Sequence, residues 1–216
     1  MITLYDYFRS SAAYRVRIAL NLKALDCEHI SVNLTKDGGQ QFKSDYAELN
    51  PQNLVPTLID GDIKMSQSMA IMEYLDEVYP EPSLLPGDAV DKASIRALAN
   101  IIACDIHPLN NLRIRLYLEK ELGVDEEKRR AWMGGWVRKG FYAFEKLYEE
   151  GPRGKFSYGD QPTIADICLI PQIANARRPD HGVDMAEFPI LLKIEEACQA
   201  LPAFEKALPE NQADAE

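Results

Sequence analysis

The sequence predicts two dissimilar domains, an α/β domain followed by an all-α domain, from three observations. Strand and helix signals alternate over the first 80 residues, and a proline-rich stretch (PEPSLLPG, 80–87) interrupts the chain. Beyond it strand signals nearly vanish. The expected limits are 1–80 for the first domain, 81–87 for the link and 88–216 for the second.

Residues 2–6 (ITLYD) are β-branched and aromatic, the composition of a short strand. Residues 12–23 read as a helix, 29–34 (HISVNL) alternate like a strand, and 41–49 read as a helix ending before Asn50-Pro51. Two short strands, 56–60 and 62–65, turn at Gly61, and a helix from Ser68 to Val78 closes the unit. The order β-α-β-α-β-β-α begins with a strand–helix–strand step, which implies a parallel pair with a right-handed crossover. Three prolines and a glycine in 80–87 stop either neighbouring helix from running through. Helix-type spacing or composition then covers 90–118, 125–150, 163–176 and 188–207. The last residues, NQADAE, are expected to fray.

The composition, 46% hydrophobic and 27% charged over 216 residues, is that of an ordinary globular protein. No apolar run approaches the roughly 18 residues that a bilayer span needs. The opening residues lack a signal-peptide pattern, so a cytoplasmic address is expected. Four cysteines (Cys27, Cys104, Cys168, Cys198) and three histidines (His29, His107, His181) are dispersed without ligand spacing. Reduced, mostly packed thiols and no metal site are expected. Net charge is −10, and a chain without a basic stripe is a poor partner for nucleic acid or an anionic membrane. Such a chain binds a small anion only by gathering basic residues locally, which directs attention to Arg9, Arg15, Arg17 and to Arg177, Arg178.

Ser10 and Ser11 stand between the first strand and the first helix. At that junction a hydroxyl and unpaired backbone N–H groups point one way, and the helix dipole favours an anion. A plain helix cap and an anion-holding pair are both open readings. Pro108, within 90–118, frees the Cys104 carbonyl and kinks the helix beside His107 and Asn111. Thr163-Ile164-Ala165-Asp166 reads as a variant capping box, a structural motif.

Four blocks recur in a familiar order and spacing: YFRSSAAYRVRIAL (7–20), NLTKDGGQQF (33–42), ELNPQNLVPTL (48–58) with QSMAIMEYL (67–75), and TIADICLIPQIANARR (163–178). They resemble the zeta-class glutathione transferase family over nearly the whole chain. The two-domain order matches that family's fold, a thioredoxin-like N-terminal domain and a helical C-terminal domain. One departure is visible, since the family often has cysteine after the two serines and here the residue is Ala12.

The resemblance implies a homodimer, glutathione as cofactor and a small dicarboxylate as substrate. The implied activity is cis–trans isomerisation of maleylacetoacetate to fumarylacetoacetate, a step of tyrosine and phenylalanine breakdown. Ser10 matches the catalytic serine, with Ser11 beside it. Arg9, standing before them, suits a substrate carboxylate, and Arg178 matches the family's substrate-binding arginine. Arg177 is expected to be a solvated neighbour. The implied cofactor contacts are Ser10, Ser11, Ala12, Gln41, Val55 ahead of a cis Pro56, Gln67 and Ser68. His107, where the family commonly has glutamine, and Asn111 are expected to line the site.

Isomerising a double bond between carbonyl-bearing carbons requires its temporary loss, which addition and departure of a thiolate achieve. Lowering a thiol by two units from about 8.5 takes roughly 2.7 kcal/mol. A helix N-terminus offers up to about 2 kcal/mol and a hydrogen bond to a charged acceptor about 1.5–3. Those two sources suffice without a cysteine at position 12. The same residues also serve maleylpyruvate isomerisation or a broader transferase acting on α-haloacids. A non-enzymatic binding or regulatory protein of this fold is the remaining alternative.

Overall fold

The structure, a computed structural model, describes residues 1–215. The chain forms two compact units, Met1–Leu84 together with Ala200–Glu216, and Leu85–Gln199.

The first unit is built on a four-stranded sheet of order β2-β1-β3-β4. Strand β1 (Ile2–Asp6) leads into helix α1 (Ser11–Leu22), which crosses over to β2 (Cys27–Ser31). The pair is parallel, Ile2 opposite Cys27 and Asp6 opposite Ser31, as a strand–helix–strand start requires. The second strand begins and ends earlier than the alternation in 29–34 suggested, because β1 has only five residues to offer; Val32 N–H adds one bond to Asp6 O. Two short 3₁₀ turns precede α2 (Ser44–Leu49), in place of one helix over 41–49.

Strands β3 (Thr57–Asp60) and β4 (Ile63–Ser66) form an antiparallel hairpin with a two-residue turn. Gly61 there has φ +60, a conformation that glycine reaches without a Cβ penalty. Helix α3 (Ser68–Val78) follows at its expected place. Leu4 and Leu58 face each other across the sheet and are fully buried with Val16, Ile18, Ile71 and Leu75. Burying these aliphatic side chains, each worth about 1.5–3 kcal/mol, holds helices α1 and α3 on the sheet.

The second unit is helical: α4 (Ala89–Asn100), a π-helical turn (Ile101–Ile106), α5 (His107–Asn110), α6 (Leu112–Lys120), α7 (Glu126–Glu150), α8 (Ile164–Ala176) and α9 (Pro189–Gln199). The single helix expected over 90–118 is thus divided. Pro108 has no N–H for the Cys104 carbonyl, and His107 N–H bonds back to Ile102 O in the wider i→i+5 spacing. A second break falls at Asn111, whose extended backbone ends α5 and whose Oδ1 caps α6 through Ile114 N–H. A Cβ on Gly140 of α7 would lie 2.3 Å from Ile106 Cδ1, so the π turn packs this close only if that side chain stays clear of a Cβ, as it does against glycine.

The expected helical domain over 88–216 does not hold its last residues. The helix sought over 188–207 breaks before Pro202, and α10 (Pro202–Lys206) belongs to the first unit. Asn21 Nδ2 donates to Ala203 O at 3.0 Å, Arg17 Nε to Ala207 O at 3.1 Å, and Phe204 is 1% exposed. The described part of the tail is anchored rather than frayed, since Asp214 accepts hydrogen bonds from Phe8 N–H and Ser31 O–H. No helix among the described residues is long and apolar enough to cross a membrane.

Candidate active site

The first turn of α1 is capped by a serine and leaves backbone amides at its open end. Ser10 is its N-cap, and its Oγ accepts the Ala13 N–H at 3.2 Å. Tyr14 N–H goes to Ser10 O at 2.9 Å, so the amides of Ser11 and Ala12 are the first-turn donors left at the open end. The capping role and the anion-holding role are compatible. A hydroxyl that accepts one amide still has its own O–H to donate, and the cap fixes where that O–H can point. Ser10 itself is held by a bond from its N–H to Tyr7 O at 2.9 Å. Ser11 is buried, and Arg9 is exposed on the same turn.

Val55 is packed against this turn. It forms an apolar cluster with Tyr7, Phe8, Val32 and Tyr46, and its bond to Pro56 is cis. Tyr46 O–H and Asn50 Nδ2 both donate to Leu54 O, at 2.6 and 2.7 Å, which fixes the loop leading into Val55. Among the described residues nothing in the chain takes up the Val55 N–H or C=O. Those groups are placed to pair with an added extended peptide.

Ser68 opens α3 and is 5% exposed, with its Oγ accepting from Arg15 Nη1 at 3.3 Å. Arg15, only 2% exposed, projects from α1 and puts a buried positive charge at the N-terminus of α3. Helix end and guanidinium act in the same direction on a carboxylate. Gln67 precedes Ser68 with φ 72 and ψ 112, a rare conformation for a residue with a Cβ, and its Nε2 donates to Gln52 Oε1 at 2.8 Å. Gln41 is 7% exposed, and its buried Oε1 has no hydrogen-bond partner among the described residues. An orphaned buried acceptor of this kind fits a ligand N–H.

These features suit the parts of a γ-Glu-Cys-Gly tripeptide: an end for the sulfur at Ser10–Ala12, a backbone edge at Val55, and a carboxylate seat at Ser68. Three of the chain's four thiols are poorly suited to such chemistry, and the fourth, Cys104, is exposed on the π-helical turn of the second unit. Cys168 and Cys198 are buried. Burial pushes the Cys27 thiol up to about 12, with Asp6 adding to the effect. Desolvation likewise raises Cys198.

In the second unit, Arg178 sits just after α8 in a tight turn. Its N–H bonds to Asn175 O at 3.1 Å and its C=O accepts His181 N–H at 3.0 Å. The turn is pinned by side chains, with Asn175 Nδ2 at 3.3 Å from His181 Nε2 and His181 Nδ1 at 3.2 Å from Asp180 Oδ1. Arg115 Nη1 reaches Asp180 Oδ2 at 3.2 Å. Arg177 is exposed, as a solvated neighbour would be, and it also forms a two-point ion pair with the largely buried Glu195. His107 is half-buried at the start of α5, and Asn111 spends its oxygen on the α6 cap.

Sequence reasoning flagged Arg15 and Arg17 only as members of a cluster and did not point to Tyr46, Asn50 or Asp214. Arg17 is an internal brace, bonded to Asp6 Oδ2 at 3.2 Å and to Phe8 O at 3.1 Å. The local signal, an arginine pair on a helix whose other faces are apolar, could have marked both as buried.

The family described as glutathione S-transferase, N-terminal domain, matches residues 4–83, and its C-terminal domain matches residues 126–208. A probable maleylacetoacetate isomerase of Vibrio cholerae is 47% identical over 99% of this chain and 98% of its own length. The holo structure of maleyl pyruvate isomerase, a bacterial zeta-class glutathione S-transferase, superposes with a TM-score of 0.95 at 46% identity, covering 99% of this chain and all of the other. Maleylacetoacetate isomerase from Anaeromyxobacter dehalogenans, with dicarboxyethyl glutathione and citrate bound in its active site, superposes with a TM-score of 0.86 at 37% identity over 100% and 94% of the two chains.

Proposed function

The chain belongs to the glutathione S-transferase family, in its zeta class, and from that membership we propose that it is a glutathione-dependent cis–trans isomerase of maleylacetoacetate. The observation that supports this reading most is the first turn of α1, where Ser10 Oγ caps the helix and the amides of Ser11 and Ala12 are the first-turn donors left over. Bound glutathione supplies a thiolate that adds to an alkene carbon and departs again, with rotation about a single bond in between.

The protein's part is to hold charge. Ser10 donates its O–H toward the sulfur, and the α1 amides and dipole favour the anion. Ala12 contributes its N–H, for which the nature of its side chain is immaterial. Val55 offers its backbone to the cysteinyl residue as an added strand would. Gln67, Ser68 and the α3 N-terminus, backed by Arg15, seat the γ-glutamyl carboxylate, and Gln41 takes the glycine end. Arg9 in the first unit and Arg178 in the second are each suited to a substrate carboxylate, and the family resemblance adds His107 and Asn111 as substrate contacts of the second unit. Planar guanidinium gives two-point carboxylate recognition that an ammonium does not. In a chain of net charge −10 such groups are the means of attracting a dianion. The relative holding a dicarboxyethyl thioether of glutathione agrees with a dicarboxylate meeting a thiolate at a site of this fold.

A second reading is maleylpyruvate isomerisation, favoured by the TM-score of 0.95 to the maleyl pyruvate isomerase. A reaction that depends on a reduced thiol cofactor belongs in a reducing compartment, which supports a cytoplasmic place. The family resemblance supports a homodimer. Following product spectrophotometrically with maleylacetoacetate, maleylpyruvate and dichloroacetate, each with and without glutathione, tests the reading. Fastest turnover on maleylacetoacetate, and only with glutathione, is expected; equal conversion without glutathione overturns it.

A further inference from the structure

We propose that Asp214 is a positioning residue for the serine turn, holding the Phe8 amide so that the chain entering Ser10 is fixed before any ligand binds. The inference rests on the reading of Ser10 as the donor to sulfur, and three observations within the first unit lead to it.

The carboxylate itself comes first. Asp214 Oδ2 accepts the Phe8 N–H at 3.2 Å across 206 positions of sequence, and the Ser31 O–H at 2.7 Å. Ser31 ends β2, so Asp214 ties the serine turn to a strand of the sheet. The next observation is packing. Ala215 lies against the apolar cluster of Tyr7, Phe8, Val32, Tyr46 and Val55, which joins the serine turn to the Val55 edge.

The last is the opposing grip from α1. Arg17 Nη2 donates to Phe8 O at 3.1 Å and Nη1 to Tyr7 O at 3.5 Å, while Nη1 also meets Asp6 Oδ2. Asp214 is among the anions that favour the charged form of this buried guanidinium. Residues 7 and 8 are therefore held at their carbonyls from the helix side and at the Phe8 amide from the tail side. Tyr7 O is also the acceptor of the Ser10 N–H.

A turn of four residues has few torsions with which to absorb a shift at its second residue. Releasing the Phe8 amide leaves the Tyr7–Phe8 peptide held on its carbonyl side alone, by the long Arg17 bond and by Ser10 N–H itself, so a tilt of that peptide carries Ser10 with it. Displacement of a reacting group by 1 Å costs up to about 100-fold in rate. A carboxylate that merely anchored a tail would affect stability and leave turnover per folded molecule alone.

The test uses Asp214→Ala, Asp214→Asn and Ser31→Ala in the full chain. Amide exchange at Phe8 is measured without glutathione, and kcat and KM are measured with it. Asp214→Ala should speed exchange at Phe8 and lower kcat about tenfold, with KM for the dicarboxylate within about twofold of the wild type. Asp214→Asn keeps an oxygen that accepts both bonds and should restore kcat. Ser31→Ala keeps the Phe8 bond and should turn over as the wild type does. An unchanged kcat in Asp214→Ala despite faster Phe8 exchange overturns the proposal, as does an equal loss in Ser31→Ala. Wild-type protein without glutathione-dependent turnover sinks the functional reading instead, and exchange at Phe8 then decides the clamp by itself.

Discussion

Ser10 caps α1 and, on the proposed reading, donates to sulfur, so one substitution should register in both stability and turnover. Ser10→Ala removes the α1 cap, costing about 1 kcal/mol of stability by thermal or chemical denaturation. It also removes the O–H aimed at sulfur, a hydrogen bond to a charged acceptor worth about 1.5–3 kcal/mol, so kcat should fall about 10- to 100-fold in steady-state assays. Ala12→Cys should change turnover only modestly, because the neighbouring amides remain. Arg178→Lys should raise KM for the dicarboxylate and leave KM for glutathione unchanged, since only the two-point geometry is lost. The place of Ser10 as the α1 cap was legible in the sequence because a strand-to-helix junction has a fixed set of orphan amides. Arg15 was less so. Its partner, Ser68, lies 53 positions away, so the apolar setting of α1 could mark the burial of Arg15 but not its contact.

At the level of elements, the α8 start behaves as its motif suggested. Thr163 Oγ1 accepts the Ala165 N–H, and the buried Asp166 accepts from Ser157 N–H at 2.7 Å and Thr163 N–H at 2.8 Å. Asp166→Ala leaves those amides buried without an acceptor, at about 1–3 kcal/mol for an unsatisfied group. Denaturant midpoints should fall while turnover per folded molecule is kept. The turn after α8 has a pH signature. A hydrogen bond from His181, with the charges of His181 and Arg115, holds the Asp180 carboxyl well below its ordinary value, against the opposing effect of burial. A depressed folded value means that the ionised form favours the fold. That stability is present above an unfolded value of about 3.9 and is lost as pH falls through the depressed one. Asp180→Asn should flatten the acid limb of the pH–stability curve. Strands and most helices were readable from period and punctuation, whereas the π turn at 101–106 was not. Its i→i+5 spacing is set by Pro108 and by the approach of Gly140, and apolar periodicity reports neither.

For the whole molecule, the division near residues 84–85 was legible in the prolines between the two patterns, but the return of the chain was not. Residues 200–215 look like more of the helical half because Pro202–Lys206 is helical. Their allegiance is decided by Arg17, Asn21 and Phe8, far away in sequence. Arg17→Ala should therefore destabilise the first unit by about 3–5 kcal/mol, the cost of stranding buried Asp6. Light scattering should give a homodimer of about 49 kDa, twice the 24.4 kDa chain, and a monomer would contradict the assembly proposed. The central claim is that the α1 N-terminus holds the sulfur of glutathione as an anion. Ultraviolet titration of the thiolate band of bound glutathione against pH reads this directly. An apparent pKa near 6.5, about two units below that of a free thiol, is the expected result; a value that stays near 8.5 would contradict it.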